Sequence, residues 1–283
     1  MAKYTLIADS GCDLFNKDLT TSKIDFRTVP LTIVLGETEV VDTEDLDVQD
    51  LVEKMKVNKK APRTACPSPE AFAAEMEKGE NVICVTLTSK LSGTYNSARL
   101  GAVMVREKHP NKKIFILDSL SASAGETMLL FELKRLIEKG DLTFEEITEQ
   151  ITAYRDRTTV RFLLQDLGNL IKTGRMSKVA GLIAATLVIK PIFKDDGAGE
   201  IQLATKCIGM KKALEAFSDM PKERVEKFGA QTPVYISHCF NEEEANALKE
   251  LLIAKHGLKN VYMRQMRGLA SFYANDKGLL IAF

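Results

Sequence analysis

The sequence predicts an α/β protein with two α/β domains, the first built on a doubly wound, mostly parallel sheet. In the first half of the chain, short strand-like runs alternate with amphipathic helical stretches. Two of these runs, residues 82–87 and 114–117, are almost continuously apolar, as expected of strands buried on both faces of a parallel sheet. Between them, residues 92–108 have apolar side chains at helical spacing, with Ser92 in the N-cap position. This order of strand, helix and strand predicts a right-handed crossover.

The other elements follow from the same signals, and the character of the chain changes near Arg157. Before that residue we expect strands over 4–8 and 27–34, a helix beginning near Pro69, and helices over 123–138 and 143–157. After it we expect strands over 161–164, 188–193, 201–206, 234–237, 261–264 and 279–283, a helix ending at Lys172, and helices over 210–228 and 241–256. A length of 283 residues suits two domains. We therefore place them at residues 1–157 and 158–283.

Composition excludes several classes of protein. Lys plus Arg and Asp plus Glu both total 39, so the basic excess of a nucleic-acid-binding protein is missing. No apolar run approaches the roughly 20 residues that span a bilayer, and Asp9 follows the start too closely for a signal peptide. The five cysteines are scattered and odd in number, which favours reduced thiols. We expect a cytoplasmic protein without a membrane span or a nucleic-acid partner.

Hydroxyl-bearing loops follow several predicted strands, where open α/β sheets bind their ligands. The loop 86–94 is the most informative because it ends at a helix N-terminus, whose free amides and dipole favour an anion. Ser92 and Thr94 add hydroxyl donors, and Gly93 permits close approach to the backbone. This pattern indicates a carboxylate or phosphate site without a metal. A capping serine with no ligand explains the same residues, and from this loop alone it is the favoured alternative.

Other kinds of site have weaker support. Asp9, Asp13 and Asp118 follow strands and offer a magnesium cluster, although Asp13 is better placed to cap the next helix. The three histidines lack metal-ligand spacing, and the motifs of serine hydrolases, dinucleotide-binding proteins and P-loop proteins are missing. We therefore expect no metal and no cofactor.

Taken together, the loop sequences resemble the DegV family. The similarity lies in the opening IADSGCDL with VPL after it, in TACPS at residues 64–68, in LSGTYNSA at 91–98 and in ILDS at 116–119. It continues in the second half with DL at 166–167, KTGRMS at 172–177 and KPI at 190–192. These motifs occur in the family's order over nearly the whole chain.

The resemblance implies two α/β domains with a long-chain fatty acid in a cleft between them. Carried over by position, Thr64 and Ser92 contact the carboxylate, with the amides of Gly93 and Thr94 nearby. Apolar side chains of residues 179–187 are placed to line a pocket for the acyl tail. Arg175 matches the family's Gly-Arg and is expected near the entrance, although a surface arginine in a turn explains it equally well. The implied activity is lipid binding, as a carrier or sensor, and not catalysis.

Two alternatives remain open. Some members of the family present their fatty acid to a separate fatty-acid kinase, and this chain departs from them where a His-Thr-Gly-Pro-Gly stretch is usual, with Ala274 at the position of the histidine. That departure favours binding over service to a kinase. The second alternative is a small-molecule enzyme with Cys12 or Cys66 as nucleophile, which ranks last because no general base has a recognisable spacing.

Overall fold

The computed structural model describes residues 3–58, 60–176 and 188–283, and the apolar segment 179–187 lies outside them. The strands are β1 (Tyr4–Asp9), β2 (Ile24–Val29), β3 (Thr32–Leu35), β4 (Thr38–Val41), β5 (Arg63–Ala65), β6 (Asn81–Thr86), β7 (Lys113–Asp118), β8 (Val160–Leu163), β9 (Ile189–Asp195), β10 (Ile201–Ile208), β11 (Val234–His238), β12 (Val261–Gln265) and β13 (Leu279–Ala282). The helices are α1 (Asn16–Leu19), α2 (Val48–Val57), α3 (Pro69–Met76), α4 (Thr94–Lys108), α5 (Ala124–Lys139), α6 (Phe144–Arg155), α7 (Gly168–Lys172), α8 (Met210–Asp219), α9 (Lys222–Phe228), α10 (Glu242–His256) and α11 (Gly268–Ala274).

A four-stranded parallel sheet, in the order β2-β1-β6-β7, organises the first half of the chain. Alternate residues of its strands enter two different cores. Leu6 and Val85 pack with α5 and α6 on one face, whereas Ile7 and Cys84 pack with α3 and α4 on the other. Helices on both faces make this a doubly wound sheet, as the apolar runs in β6 and β7 predicted.

The second half forms a six-stranded mixed sheet in the order β10-β9-β8-β13-β11-β12. One face packs against α8 and α10, and the other meets α5 through β11 and β13. Helix α5 therefore lies between the two sheets, and its first seven residues, 124–130, are all buried. The α/β fold with two sheets is confirmed.

A third, smaller sheet has the order β4-β3-β5 and is antiparallel. Its apolar residues form a separate core with Leu51 of α2 and Phe272 of α11. The sequence predicted a single strand over 27–34, but the structure divides it into β2 and β3 around Pro30. Proline has no N–H to give to a ladder, so the chain leaves one sheet there and enters another.

Two more boundaries differ from the sequence prediction. The helix expected over 210–228 is divided into α8 and α9 at Pro221. Inside a helix, proline lacks the N–H for the backbone hydrogen bond and its ring clashes with the preceding turn. Helix α4 begins at Thr94 with Gly93 at the N-cap position, so the prediction of Ser92 as the N-cap is wrong. Ser92 belongs instead to a turn in which its N–H donates to the Thr88 carbonyl. None of the helices in the described ranges is long and apolar enough to cross a membrane.

Candidate functional site

A largely apolar cavity lies between the parallel and mixed sheets and encloses about 970 Å³ of empty space, part of it open to solvent. Residues of both halves line it, including Leu31, Leu87, Val160, Phe162 and Leu280. Its mostly apolar wall with a few polar side chains is typical of small-molecule pockets. The loops after β1, β6 and β7 reach it with Gly11, Thr88 and Ser121, as expected at the carboxyl ends of parallel strands.

Three of the residues selected from the sequence line this cavity: Thr64, Ser92 and Arg175. Gly93 and Thr94 lie next to Ser92 but are not part of its wall. The loop that follows Thr64 and β5 meets the start of α4, because a Cβ built on Gly93 would lie 3.4 Å from the Cys66 sulfur. The fold thus brings together two segments that lie far apart in the sequence.

The Ser92 hydroxyl is held by the first residue of α4. The Thr94 N–H donates to Ser92 Oγ over 3.3 Å, and the two side-chain hydroxyls are 2.8 Å apart. Thr94 is fully buried behind Ser92. When the Thr94 hydroxyl also donates to Ser92 Oγ, the Ser92 proton is available to an acceptor in the cavity.

Arg175 connects the two halves of the chain at the cavity wall. Its Nε donates to the Leu91 carbonyl over 3.3 Å, and its Nη1 donates to the Thr173 carbonyl over 2.6 Å. The side chain is half-buried. A guanidinium fixed beside Ser92 adds positive charge where an anion would bind.

Sequence reasoning missed Tyr273, which also lines the cavity. Its hydroxyl is 2.8 Å from Thr64 Oγ1 and comes from a helix 209 positions further along the chain. Helix α11 was not among the predicted elements, because residues 272–278 were interpreted only as a departure from a family motif. Ala274, placed where a histidine was expected, lines the same cavity and is buried.

The loop between β7 and α5 also contributes more than was predicted. Leu120 and Ser123 both line the cavity, and both have left-handed backbone conformations, with φ of 53° and 52°. Such conformations cost free energy in residues other than glycine and persist where the surroundings fix them. Gly199, between β9 and β10, approaches this loop closely, since a Cβ there would lie 3.2 Å from Leu120 Cα.

Two buried carboxyl groups lie behind the Gly11 backbone. A Cβ on Gly11 would be 2.7 Å from Asp9 Oδ1 and 3.1 Å from Glu126 Oε2, so only glycine fits between them and the cavity. Burial raises the pKa of Asp9 to about 7, although the N–H groups of Leu87 and Gly11 donate to it. Burial and the nearby aspartates raise the pKa of Glu126 well above its usual range, and neither of its oxygens has a hydrogen-bond partner within the described part of the chain.

Asp13 does not cap a helix, contrary to the sequence prediction. Phe15 occupies the N-cap position of α1, and the buried Asp13 carboxylate instead accepts from the hydroxyls of Ser123 and Ser237 and from the Arg267 N–H. These donors belong to both halves of the chain, so Asp13 joins them. Among the residues that the structure describes, no group of three or more His, Cys, Asp or Glu is arranged to hold a metal ion.

The cysteine-nucleophile alternative loses one of its two candidates. Cys12 is fully buried, and burial raises the pKa of its thiol well above the usual value, so thiolate is disfavoured. Cys66 is exposed, and its sulfur is 3.8 Å from the Ser97 hydroxyl.

Comparison with known families and proteins agrees with the geometry of the site. The model of the DegV family, described as a family of uncharacterised proteins, matches residues 3–281. This chain belongs to the DegV family. A DegV domain-containing protein of Streptococcus pyogenes serotype M1 is 37% identical over 281 residues, which is 99% of each chain. Another, from Streptococcus pneumoniae TIGR4, is 35% identical over 280 residues, or 99% of this chain and 98% of that protein.

Solved structures of DegV proteins have the same fold. The fatty acid kinase B3 protein of Streptococcus pneumoniae, loaded with linoleic acid, is 35% identical and superposes with a TM-score of 0.92 over 100% of this chain and 99% of its own. A Ruminococcus gnavus DegV protein with vaccenic acid also gives a TM-score of 0.92, at 31% identity and the same coverage. A Eubacterium eligens protein loaded with heptadecanoic acid gives 0.89 at 31% identity, covering 99% of this chain and 98% of that one.

Proposed function

We propose that this protein binds one long-chain fatty acid in the cavity between its two sheets, as a lipid carrier or sensor. The observation that carries the proposal is the largely apolar cavity with hydrogen-bonded hydroxyl groups at Thr64 and Ser92 in its wall. DegV relatives more than 30% identical over nearly their whole length hold fatty acids in structures of the same fold, which supports the same ligand class here.

The energetics suit an acyl chain better than a small polar ligand. Transfer of each methylene from water into an apolar site contributes about 0.8 kcal/mol, so a chain of 16 or 18 carbons gains most of its affinity from the tail. The head group then requires few contacts. Hydroxyl donors and helix amides satisfy a carboxylate without a metal, whereas a buried anion with no donors would be strongly disfavoured.

Each site residue has a proposed role. Thr64 and Ser92 donate to the carboxylate, and the amides of Gly93 and Thr94 provide the positive end of α4 behind them. Arg175 adds charge near the entrance. We expect the acyl tail to follow the apolar wall that includes Phe162 and Leu280, and the segment 179–187, predicted to line the tail pocket, lies outside the described residues.

Native mass spectrometry of the purified protein tests the proposal, with titration of delipidated protein by a C16 or C18 fatty acid. We expect one bound acid per chain. The double variant Ser92→Ala with Thr64→Ala should bind about a hundredfold more weakly or worse, because each lost hydrogen bond to a charged group weakens binding by roughly 1.5–3 kcal/mol.

A matched control removes the same two kinds of hydroxyl at positions that do not line the cavity. Ser89→Ala with Thr38→Ala removes two exposed hydroxyls of the same kinds and should leave affinity unchanged. Protein that purifies without an acyl ligand and binds none on titration would show that the proposal is wrong. Binding that is equally strong in both double variants would reject the head-group assignment alone.

Service to a fatty-acid kinase is a second candidate, because a related solved structure carries that kinase's name. Formation of acyl phosphate from the bound acid, measured with a kinase and ATP, distinguishes it from simple carriage. We infer no chemistry by the chain itself. We further propose that the domains divide at residues 157 and 158, where the strands of the mixed sheet begin, and that the protein works in the cytoplasm, in keeping with its five free cysteines.

A further inference from the structure

Tyr273 and Thr64 both line the cavity, and their hydroxyl oxygens are 2.8 Å apart. We propose that Tyr273 is a positioning residue, which orients the Thr64 hydroxyl so that its proton points at the carboxylate of the bound acid. This inference rests on the proposed function and adds to it a residue that sets preference for the carboxylate head group over uncharged ones.

Counting protons explains the role. Two hydroxyls in contact have two protons, and the bond between them uses one. A phenol, with a pKa near 10, is a better donor than an aliphatic hydroxyl, so Tyr273 donates and Thr64 accepts. The Thr64 proton is then free to be donated to a third oxygen, and the chain Tyr273 to Thr64 to carboxylate is strengthened cooperatively.

The Tyr273 ring is held independently of Thr64. It lies on α11, whose first turn donates two N–H groups, those of Gly268 and Leu269, to the Asp42 carboxylate over 3.1 and 2.9 Å. The ring packs edge-on against Phe272 at 4.8 Å between centroids. Because its helix is anchored in this way, Tyr273 offers a donor at a fixed position.

Thr64 is fixed from the other side. It belongs to β5, where it pairs with Ile33 of β3. Within the described ranges, its side-chain hydroxyl forms one hydrogen bond, the one to Tyr273. Without that bond the hydroxyl would rotate among its staggered positions. The neighbouring Ala274 has no polar group that could take over.

Tyr273→Phe removes the phenol oxygen and preserves the ring. We expect the affinity for a C16 or C18 fatty acid to fall about fivefold to tenfold, the effect of one hydrogen bond of ordinary strength. The affinity for the corresponding fatty alcohol should change less than twofold, because an uncharged head group gains little from a preset donor. Competition titration against a fluorescent fatty-acid analogue measures both. Tyr262→Phe, an exposed tyrosine on β12, is the matched control and should change neither affinity.

A double-mutant cycle tests whether Tyr273 acts through Thr64. Thr64→Val removes the hydroxyl that Tyr273 orients, so adding Tyr273→Phe to it should cause less than a twofold further loss. Thr64→Ser preserves the hydroxyl, and in that background Tyr273→Phe should again cause the fivefold to tenfold loss. Thermal unfolding of every variant confirms that each one is folded, and the Thr64 variants provide the test if Tyr273→Phe is not.

The possible results are distinct. Equal losses for acid and alcohol would mean that Tyr273 only supports the fold, and full additivity with Thr64→Val would mean that it contacts the ligand directly; either result overturns the positioning role. A wild-type protein that binds no fatty acid rejects the proposed function and, with it, this inference. Selective, non-additive loss for the acid supports both.

Discussion

Glu126 has an environment that departs strongly from what its residue type predicts. It lies on α5, is fully buried, and has no hydrogen-bond partner for either oxygen among the described residues. Burial is the main cause that raises its pKa, and the charges of Asp9, Asp13 and Asp118 add to it. Burial therefore favours the protonated, neutral form of the side chain. That form costs less to bury between two sheets than the carboxylate does.

We predict that Glu126 makes the protein less stable as pH rises. Its pKa is higher in the folded state than the value of 4.5 expected in the unfolded chain, so folding binds a proton more tightly. Stability is fully present below pH 4.5 and falls as pH rises toward the folded pKa. Glu126→Gln should remove this slope, so that the free energy of unfolding exceeds that of the wild type at pH 8 and differs little at pH 4.5. Urea unfolding at both pH values measures the difference.

Glu138→Gln provides the control, because Glu138 lies on the same helix and is exposed. It should leave the pH dependence of stability unchanged. If Glu126→Gln and Glu138→Gln gave the same pH profile, Glu126 would have a folded pKa close to its unfolded one. Asp9 contributes a slope of the same sign between its unfolded value of 3.8 and about 7, and it remains in both variants.

For single residues, the sequence predicted which side chains line the cavity better than it predicted their hydrogen-bond partners. Thr64, Ser92 and Arg175 were found because hydroxyls at strand ends and a family signature are local patterns, and all three line the cavity. Their assignment to a carboxylate remains a prediction. Tyr273 and the bonds of Asp13 were missed, because their partners are between 110 and 254 positions away in the chain.

Among the elements, α11 depends on a single carboxylate. Asp42 accepts from two N–H groups of its first turn, and a Cβ on Gly268 would lie 2.4 Å from Asp42 Oδ1. Asp42 is buried, and Arg267 beside it donates to its backbone carbonyl. The helix is short, so its position comes from this anchor and from packing against α2 and α7.

We predict that Asp42→Ala destabilises the protein by about 3 kcal/mol, because two buried N–H groups lose their acceptor at once. It should also weaken fatty-acid binding, since α11 carries Tyr273. Asp47→Ala is the matched control: Asp47 caps α2 by accepting from the Asp50 N–H, but it is exposed, so a smaller loss of stability is expected. Denaturant unfolding compares the two. A loss for Asp42→Ala no larger than that for Asp47→Ala would show that α11 is held by packing alone.

Sequence patterns found most long elements but placed some boundaries wrongly. Strands β6 and β7 of the parallel sheet were found because their apolar runs are almost continuous. Pro30 and Pro221 divide elements that had been predicted as single ones. A proline inside such a run already indicates a break in the strand or helix. The short elements β4, β5 and α11 have little periodicity of their own and are positioned by tertiary contacts.

At the scale of the whole molecule, α5 makes the two halves interdependent. The largest core cluster contains Leu6 and Val85 of the parallel sheet together with Val160 and Ala282 of the mixed sheet, and α5 fills the space between them. A proposed domain boundary at residue 157 therefore separates stretches of sequence that share one hydrophobic core.

We predict a single cooperative unfolding transition for the whole chain. Circular dichroism and tyrosine fluorescence should give the same midpoint, and the calorimetric and van't Hoff enthalpies should agree. A bound fatty acid should raise that midpoint in proportion to the logarithm of its concentration above Kd. Two resolved transitions in the absence of ligand would show that the halves unfold independently despite their shared core.

The place of β13 in the mixed sheet has a consequence for synthesis on the ribosome. This strand is the last one described in the chain, yet it lies near the middle of its sheet, between β8 and β11. Until residues 279–282 have been made and have entered the sheet, β10-β9-β8 and β11-β12 lack the strand that joins them, and α5 lacks its contacts with β13. A nascent chain without this strand exposes apolar surface and unpaired strand edges, which is the situation in which chaperones protect such chains.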